Sequence, residues 1–305
     1  MAHRPRTLLA LVVALGVGTA PVAACASTAT PTTTRATPAA GPSPSATARP
    51  ALARLERGHG ARLGVLAVDT GSGRTLAYRA DERFAFASTG KALTAGLLLR
   101  TASDRDLRRV VRYRKADLLE YAPVTRRHLR TGMSLRGLTI AALQLSDNTA
   151  ANLVMRELGG PAAVERALRR MGDRTTRVDR TEPTLNTAKR GDRRDTTTPR
   201  AIAGDLRKLL LGTELVPRRR ALLRRWMIGN TTGDAYVRAG VPAGWVVADK
   251  TGAGGHGTRN DVAVAWPPQG APIVIAVLSD RRDPQAASDD DLIARATRTA
   301  VRALR

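Results

Sequence analysis

The chain carries strand-like runs at both ends and only helical patterns between them, an order that confines it to folds whose sheet is sewn from both termini. Near the start, Leu63-Gly64-Val65-Leu66-Ala67-Val68 is an apolar strand, Asp69 to Gly73 a turn, and Arg74 to Arg79 the returning partner. A short helical pattern, Ala51 to Arg57, precedes them. Near the end, Trp245 to Asp249, Asp261 to Trp266 and Pro272 to Leu278 are three further β-type runs. Ser288 with Asp289 to Asp291 then caps a helix to about Leu304, acids in its first turn and arginines later, as the helix dipole favours. In the middle, apolar residues recur at threes and fours over Thr89–Thr101, Ser134–Leu145, Thr149–Leu158, Pro161–Met171 and Pro199–Leu211. Sheet and helices segregated in this way predict an α+β molecule with an all-helical lobe inserted between the two halves of its sheet. The cleft where the lobes meet is the natural place for a site.

The first fifty residues read differently. His3, Arg4 and Arg6 precede a seventeen-residue uncharged run, Leu8 to Ala24, laid out like an export signal and short for a membrane span. Val22-Ala23-Ala24-Cys25 is similar to a bacterial lipobox, in which the cysteine is lipidated and anchors the chain to a membrane; cleavage after Ala24-Cys25-Ala26 would release the protein instead. Cys25 is the only cysteine, so no disulfide can form within the chain. Residues 27–50 are Thr, Ala, Pro, Ser and Gly with two arginines, a composition that predicts a flexible linker. The division expected is therefore an export signal at 1–26, a linker at 27–50 and one folded domain at 51–305.

The four arginines ahead of Ala51 leave 46 basic and 26 acidic residues after it, a formal +20. That charge admits binding to anionic envelope material or simply an arginine-rich solvated surface. Nucleic acid is disfavoured, because aromatics are only 3% and the arginines are scattered rather than run together. The four histidines, His3, His59, His128 and His256, form no ligand-spaced cluster, so neither a metal nor another cofactor is expected.

Four short motifs carry chemistry. Ser88 opens a helical run at an N-terminus that favours developing negative charge, and Lys91 lies one turn on. A buried lysine can lose its proton and activate such a hydroxyl. Ser146-Asp147-Asn148 breaks two helical patterns; it reads either as a plain loop with an N-cap or as a proton-relaying hydroxyl and a substrate-binding amide, with Asp147 holding the turn. Lys250-Thr251-Gly252 ends a strand and is followed by Ala253, so an edge strand there could hold an extended amide while Lys250 and Thr251 face a carboxylate. The backbone N–H groups of Ser88 and Ala253 could form an oxyanion hole. The fourth is Glu182-Pro183-Thr184-Leu185-Asn186.

The first three motifs, in this order, resemble those of the serine β-lactamase and penicillin-binding protein superfamily. The fourth is similar to the loop of class A β-lactamases that carries the deacylating glutamate. That resemblance, over roughly residues 52–305, implies a five-stranded antiparallel sheet flanked by helices and a monomeric, exported hydrolase of penicillins and related antibiotics. It makes Ser88 the nucleophile, Lys91 and Glu182 its proton acceptors and Ser146 the relay. Glu182 and Asn186 would hold the hydrolytic water, with Glu182–Pro183 cis and an Arg180–Asp195 ion pair closing the loop. Tyr121 would line the cleft entrance, Asn148 would bind substrate, and Arg238 would join Lys250 and Thr251 on the substrate carboxylate. Asn152 and the Asn260-Asp261 pair are expected to be scaffold. Two rivals share part of this equipment: a D-alanyl-D-alanine peptidase, which has no need of Glu182 and Asn186, and a penicillin-binding sensor without turnover.

Overall fold

The computed structural model describes residue 14 and residues 43–305. Apart from residue 14, the expected export signal, with Cys25, and most of the expected linker lie outside the described residues. The first helix, α1 (Pro44–Gly58), begins seven residues before the expected start of the domain, with Ser43 as its N-cap and Pro44 at its first position. The proline that leads a helix needs no N–H there, so the Pro/Ser/Thr composition concealed a helix start.

Five main strands follow: β1 (Arg62–Asp69), β2 (Thr75–Tyr78), β3 (Val246–Gly254), β4 (Thr258–Trp266) and β5 (Ile273–Asp280). They form one antiparallel sheet in the order β2-β1-β5-β4-β3, so the last strand joins the N-terminal hairpin to the C-terminal pair. Side chains alternate across each strand. Leu63, Val65, Ala67, Ala263, Ile275 and Val277 face α1 and the C-terminal helix; Leu66, Val262, Val264, Val274 and Ala276 face the helical lobe. Because both faces are covered, β5 is buried along its whole length, which is why Ile273 to Leu278 reads as an unbroken apolar run before the strand ends in Ser279 and Asp280.

The lobe comprises α2 (Gly90–Thr101), α3 (Leu135–Gln144), α4 (Asn148–Glu157), α5 (Pro161–Arg170), α6 (Pro199–Leu210) and α7 (Pro217–Ile228). α7 was not anticipated. Ser134 and Thr198 cap α3 and α6, while Gly160 and Pro161 separate α4 from α5. α2 buries nearly every side chain, Leu93, Leu97, Leu98 and Leu99 among them, and is the rod on which the lobe is built. The chain closes with α8 (Asp290–Leu304), capped by Asp289 rather than Ser288. Among the described residues no helix is long and apolar enough to cross a membrane.

Candidate active site

Ser88 sits in a 3-10 turn, Ala87–Thr89, directly ahead of α2, and is 8% exposed. Ala87 is held at φ 48°, a left-handed conformation that costs a residue with a Cβ of order 1–3 kcal/mol and turns the serine out of the helix line. Edge strand β3 lies against this turn. A Cβ on Gly252 would come within 3.0 Å of the Phe86 carbonyl oxygen and 3.2 Å of the Thr89 nitrogen, so only glycine lets the two backbones approach this closely.

The Ser146-Asp147-Asn148 segment arrives from the lobe, between α3 and α4. Ser146 is also left-handed, at φ 57°. Asp147, wholly buried, fixes the turn: its carboxylate accepts from the backbone N–H groups of Val124, Thr125 and Ala150 and from the Thr125 hydroxyl. Lys91 Nζ donates to Ser146 O (2.8 Å), Ser146 Oγ (3.2 Å) and Asn148 Oδ1 (2.7 Å), and pairs with Glu182 Oε1 at 2.9 Å. It makes no hydrogen bond to Ser88; the Ser88 hydroxyl instead donates to Glu182 Oε1 at 3.4 Å. On the other side, Lys250 Nζ donates to Ser146 Oγ at 3.3 Å and to Thr251 O at 3.0 Å. One serine oxygen thus accepts from two buried ammonium groups, which leaves its own proton to point elsewhere.

Burial pushes the pKa of Lys91 down, against the opposing pull of Glu182. Burial, and then the neighbouring Lys91 charge, push Lys250 down to about 7.

Glu182 comes from the loop between α5 and α6. Its peptide bond to Pro183 is cis. Asn152 on α4 grips the backbone of Glu182 from both sides, its Oδ1 accepting from Glu182 N at 2.9 Å and its Nδ2 donating to Glu182 O at 2.9 Å. Asn186 Nδ2 donates to Glu182 Oε2, while Asn186 Oδ1 is buried without a partner among the described residues. At the loop's neck Asp195, wholly buried, accepts from the N–H groups of Asp179 and Arg180 and from Arg180 Nε at 2.5 Å. Its far end meets β3, where Gly255 N donates to Asn186 O at 2.8 Å.

A serine, a carboxylate and two lysines thus share one cleft, and the Beta-lactamase enzyme family model matches residues 47–304. This chain belongs to that β-lactamase family. It is 54% identical over 267 residues to a β-lactamase of Amycolatopsis lactamdurans, covering 88% of each chain. It is 51% identical to one of Bacillus licheniformis, over 83% of this chain and 82% of that one. Among solved structures, a halotolerant bacterial β-lactamase superposes with TM-score 0.83 at 47% identity, over 84% of this chain and 98% of the other. The class A β-lactamase of Clostridium kluyveri DSM 555 gives 0.82 at 44% identity, over 83% and 97%. The likeness extends over both lobes, and the β-lactamase is of class A.

Two expectations about this class A site need revision. Lys250, Thr251 and Gly252 do not end a strand; they lie inside β3, which runs on to Gly254. Arg238 is not a free cation beside Lys250. Its guanidinium binds Asp249 Oδ1 through Nε (2.8 Å) and Nη2 (2.7 Å), Asp234 through Nη1, and the Ile228 carbonyl. Asp249 and Lys250 are successive strand residues and face opposite ways, so Arg238 buttresses β3 from behind. Tyr121 is 52% exposed, and its carbonyl accepts from Asn148 N.

Sequence reasoning missed Thr232, whose hydroxyl lies 2.6 Å from Thr251 Oγ1, and Arg259, the cross-strand partner of Ala253. Arg259 pairs with Asp290 at 2.7 Å and stacks over Tyr236. Its position nine residues after Lys250 across a tight turn was the signal available.

Proposed function

We propose that this chain hydrolyses the amide of β-lactam antibiotics through an ester on Ser88, and so confers resistance to them. The observation that carries the reading is the shared pocket of the Ser88 hydroxyl and the Glu182 carboxylate, 3.4 Å apart and both buried. Ser88 Oγ attacks the lactam carbonyl carbon as its proton passes toward Glu182, directly or by a water. The contact between these two groups supports Glu182 in that role over Lys91, whose donors are taken up by Ser146, Asn148 and Glu182. The lactam C–N bond breaks, and the nitrogen takes the Ser146 hydroxyl proton, which the two lysines leave pointing outward. The N–H groups of Ser88 and Ala253 bind the oxyanion. Lys91, bonded to both Glu182 Oε1 and Ser146 Oγ, passes the proton held by Glu182 on to Ser146 and so restores the carboxylate. Glu182 then deprotonates a water that Asn186 Oδ1 helps to hold, the water oxygen attacks the ester carbonyl, and the ester C–O bond breaks as Glu182 returns the proton to Ser88 Oγ. Lys250 and Thr251 bind the substrate carboxylate, Asn148 the substrate amide, and the ring of Tyr121 borders the entrance.

Excess penicillin mixed with the protein tests this by lactam absorbance: steady loss is expected, whereas one equivalent consumed and then a halt would belong to a peptidase or a sensor. In Glu182→Ala, kcat should fall by about 10²–10⁴ and intact mass should show the acyl-enzyme. Unaltered turnover in that variant would remove Glu182 from the mechanism. Ser88→Ala should take no covalent label.

An export signal is proposed within residues 1–26, cut ahead of Cys25 so that the lipidated cysteine is the new N-terminus, and the protein is proposed as a monomer. The composition of residues 1–50 supports the first; the mass of the mature N-terminus and gel filtration check both.

A further inference from the structure

On the face of the sheet away from Ser88, α1 and α8 pack side by side and leave a groove of about 760 Å³ between their outer surfaces. One stripe of each helix lines it. Ala51, Arg54, Leu55 and Gly58 recur at the helical interval on α1, and Arg295, Arg298, Thr299 and Arg302 do so on α8. Four guanidinium groups therefore border one hollow, and no carboxylate is among its walls. Arg54 and Arg302 make no ion pair or hydrogen bond among the described residues; Arg298 donates to the Ala239 carbonyl, and Arg295 has only a 3.4 Å contact with exposed Asp291. The other basic hollows differ. The one beside Arg190, about 320 Å³, has Glu82, Asp192 and Asp280 in its walls.

Like charges gathered in a concave site whose walls hold no carboxylate, with only exposed Asp291 beside one of them, are stabilised by an anion brought from outside. The chain cannot supply it: residues 1–42 contain three arginines and no acid, and a second copy carries the same positive excess. The seven helical steps from Arg295 to Arg302 span about 10 Å, room for successive anionic groups on one strand. Arginine's planar fork suits phosphate oxygens. No Phe, Tyr or Trp lines the groove, and its one ring, the His59 imidazole, is tied to Asp289 at 2.5 Å, so the walls offer no free platform for stacked bases.

We propose that this groove is a docking site for a linear polymer of phosphodiesters without bases, of the poly(glycerol phosphate) kind, independent of the lactam chemistry in the cleft. The test measures binding of labelled poly(glycerol phosphate) to the full chain across a salt series. The triple variant Arg54→Ser/Arg298→Ser/Arg302→Ser is compared with Arg105→Ser/Arg127→Ser/Arg130→Ser, which removes the same charge from exposed arginines elsewhere. The groove variant should lose roughly 10-fold or more in affinity with a shallower salt slope, and the control less than about 3-fold. The single Arg302→Glu, at an exposed position in the last turn of α8, should weaken binding in the same direction and covers the case of a poorly folded triple variant. Equal losses in both triples, no effect of Arg302→Glu, or no binding by the parent chain would each overturn the proposal. Tighter binding of an oligothymidylate of equal charge would overturn the base-free assignment. Stronger capture by phosphatidylglycerol vesicles would overturn the polymer.

Discussion

Lys250 concentrates the site's electrostatics in one side chain. With its ammonium depressed to about 7, it holds its charge below neutrality and releases it as pH rises through that value. A substrate carboxylate bound by that charge should therefore be held less well above pH 7. KM is expected to climb through the alkaline range while kcat changes less, and Lys250→Arg, which keeps its charge, should flatten the climb. Steady-state kinetics between pH 6 and about 9 would check both. The same depressed pKa makes stability rise with pH above about 7, because the unfolded chain then holds a proton that the folded one does not. These properties were only half legible. Residue identities and order singled out Ser88, Lys91, Ser146, Glu182 and Lys250 as candidates, and their side chains do meet in one cleft. They did not show that Ala87 and Ser146 adopt left-handed backbones, since neither is a glycine. Nor did they tell that Arg238 is spent on Asp249, because a motif fixes where a residue stands and not which way a strand turns it.

Among the elements, the loop bearing Glu182 is tied at its neck by Asp195 and Arg180. Asp195→Ala leaves a partly buried guanidinium and two backbone N–H groups without their acceptor, which should cost about 3–5 kcal/mol of stability in urea denaturation. Deacylation should slow more than acylation, seen as acyl-enzyme accumulating in intact mass spectra. A different carboxylate loads α6. Burial, and then the adjacent Asp173, push Asp205 up to about 9. Asp205 thus binds a proton on folding, and stability falls as pH rises from about 4 toward 9. Asp205→Asn removes that slope. Its melting point should exceed the parent's by more at pH 8 than at pH 4, at about 2–4 °C per kcal/mol relieved. α7 escaped sequence reasoning for a related reason. Arg219 lies on its buried face, paired with Asp104, beside Leu223, Trp226 and Met227, and a charge on the inner stripe breaks the apolar period. The helices of ordinary amphipathic pattern, α3 to α6, were placed within a residue or two.

For the whole molecule, the segregation of strands to the two ends and helices to the middle was enough to predict an α+β sheet built from both ends, and the sheet of five antiparallel strands agrees. The location of the domain's start was not, because Ser43 and Pro44 initiate α1 inside a stretch composed like a tether. Both terminal helices pack on the same face of the sheet. Removing residues 290–305 would strip Leu292, Ile293, Val301 and Leu304 from that face, each worth about 1.5–3 kcal/mol. Such a loss rivals the entire stability of a domain, about 5–15 kcal/mol. The truncated chain should show no cooperative thermal transition by circular dichroism.

β5 lies between β1 and β4, yet it is the last of the five strands in the chain. A ribosome must therefore finish nearly the whole polypeptide before the sheet has its middle. Until residue 280 has emerged, the N-terminal hairpin has no neighbour on its inner edge. The nascent chain stays loose and threadable for most of its synthesis.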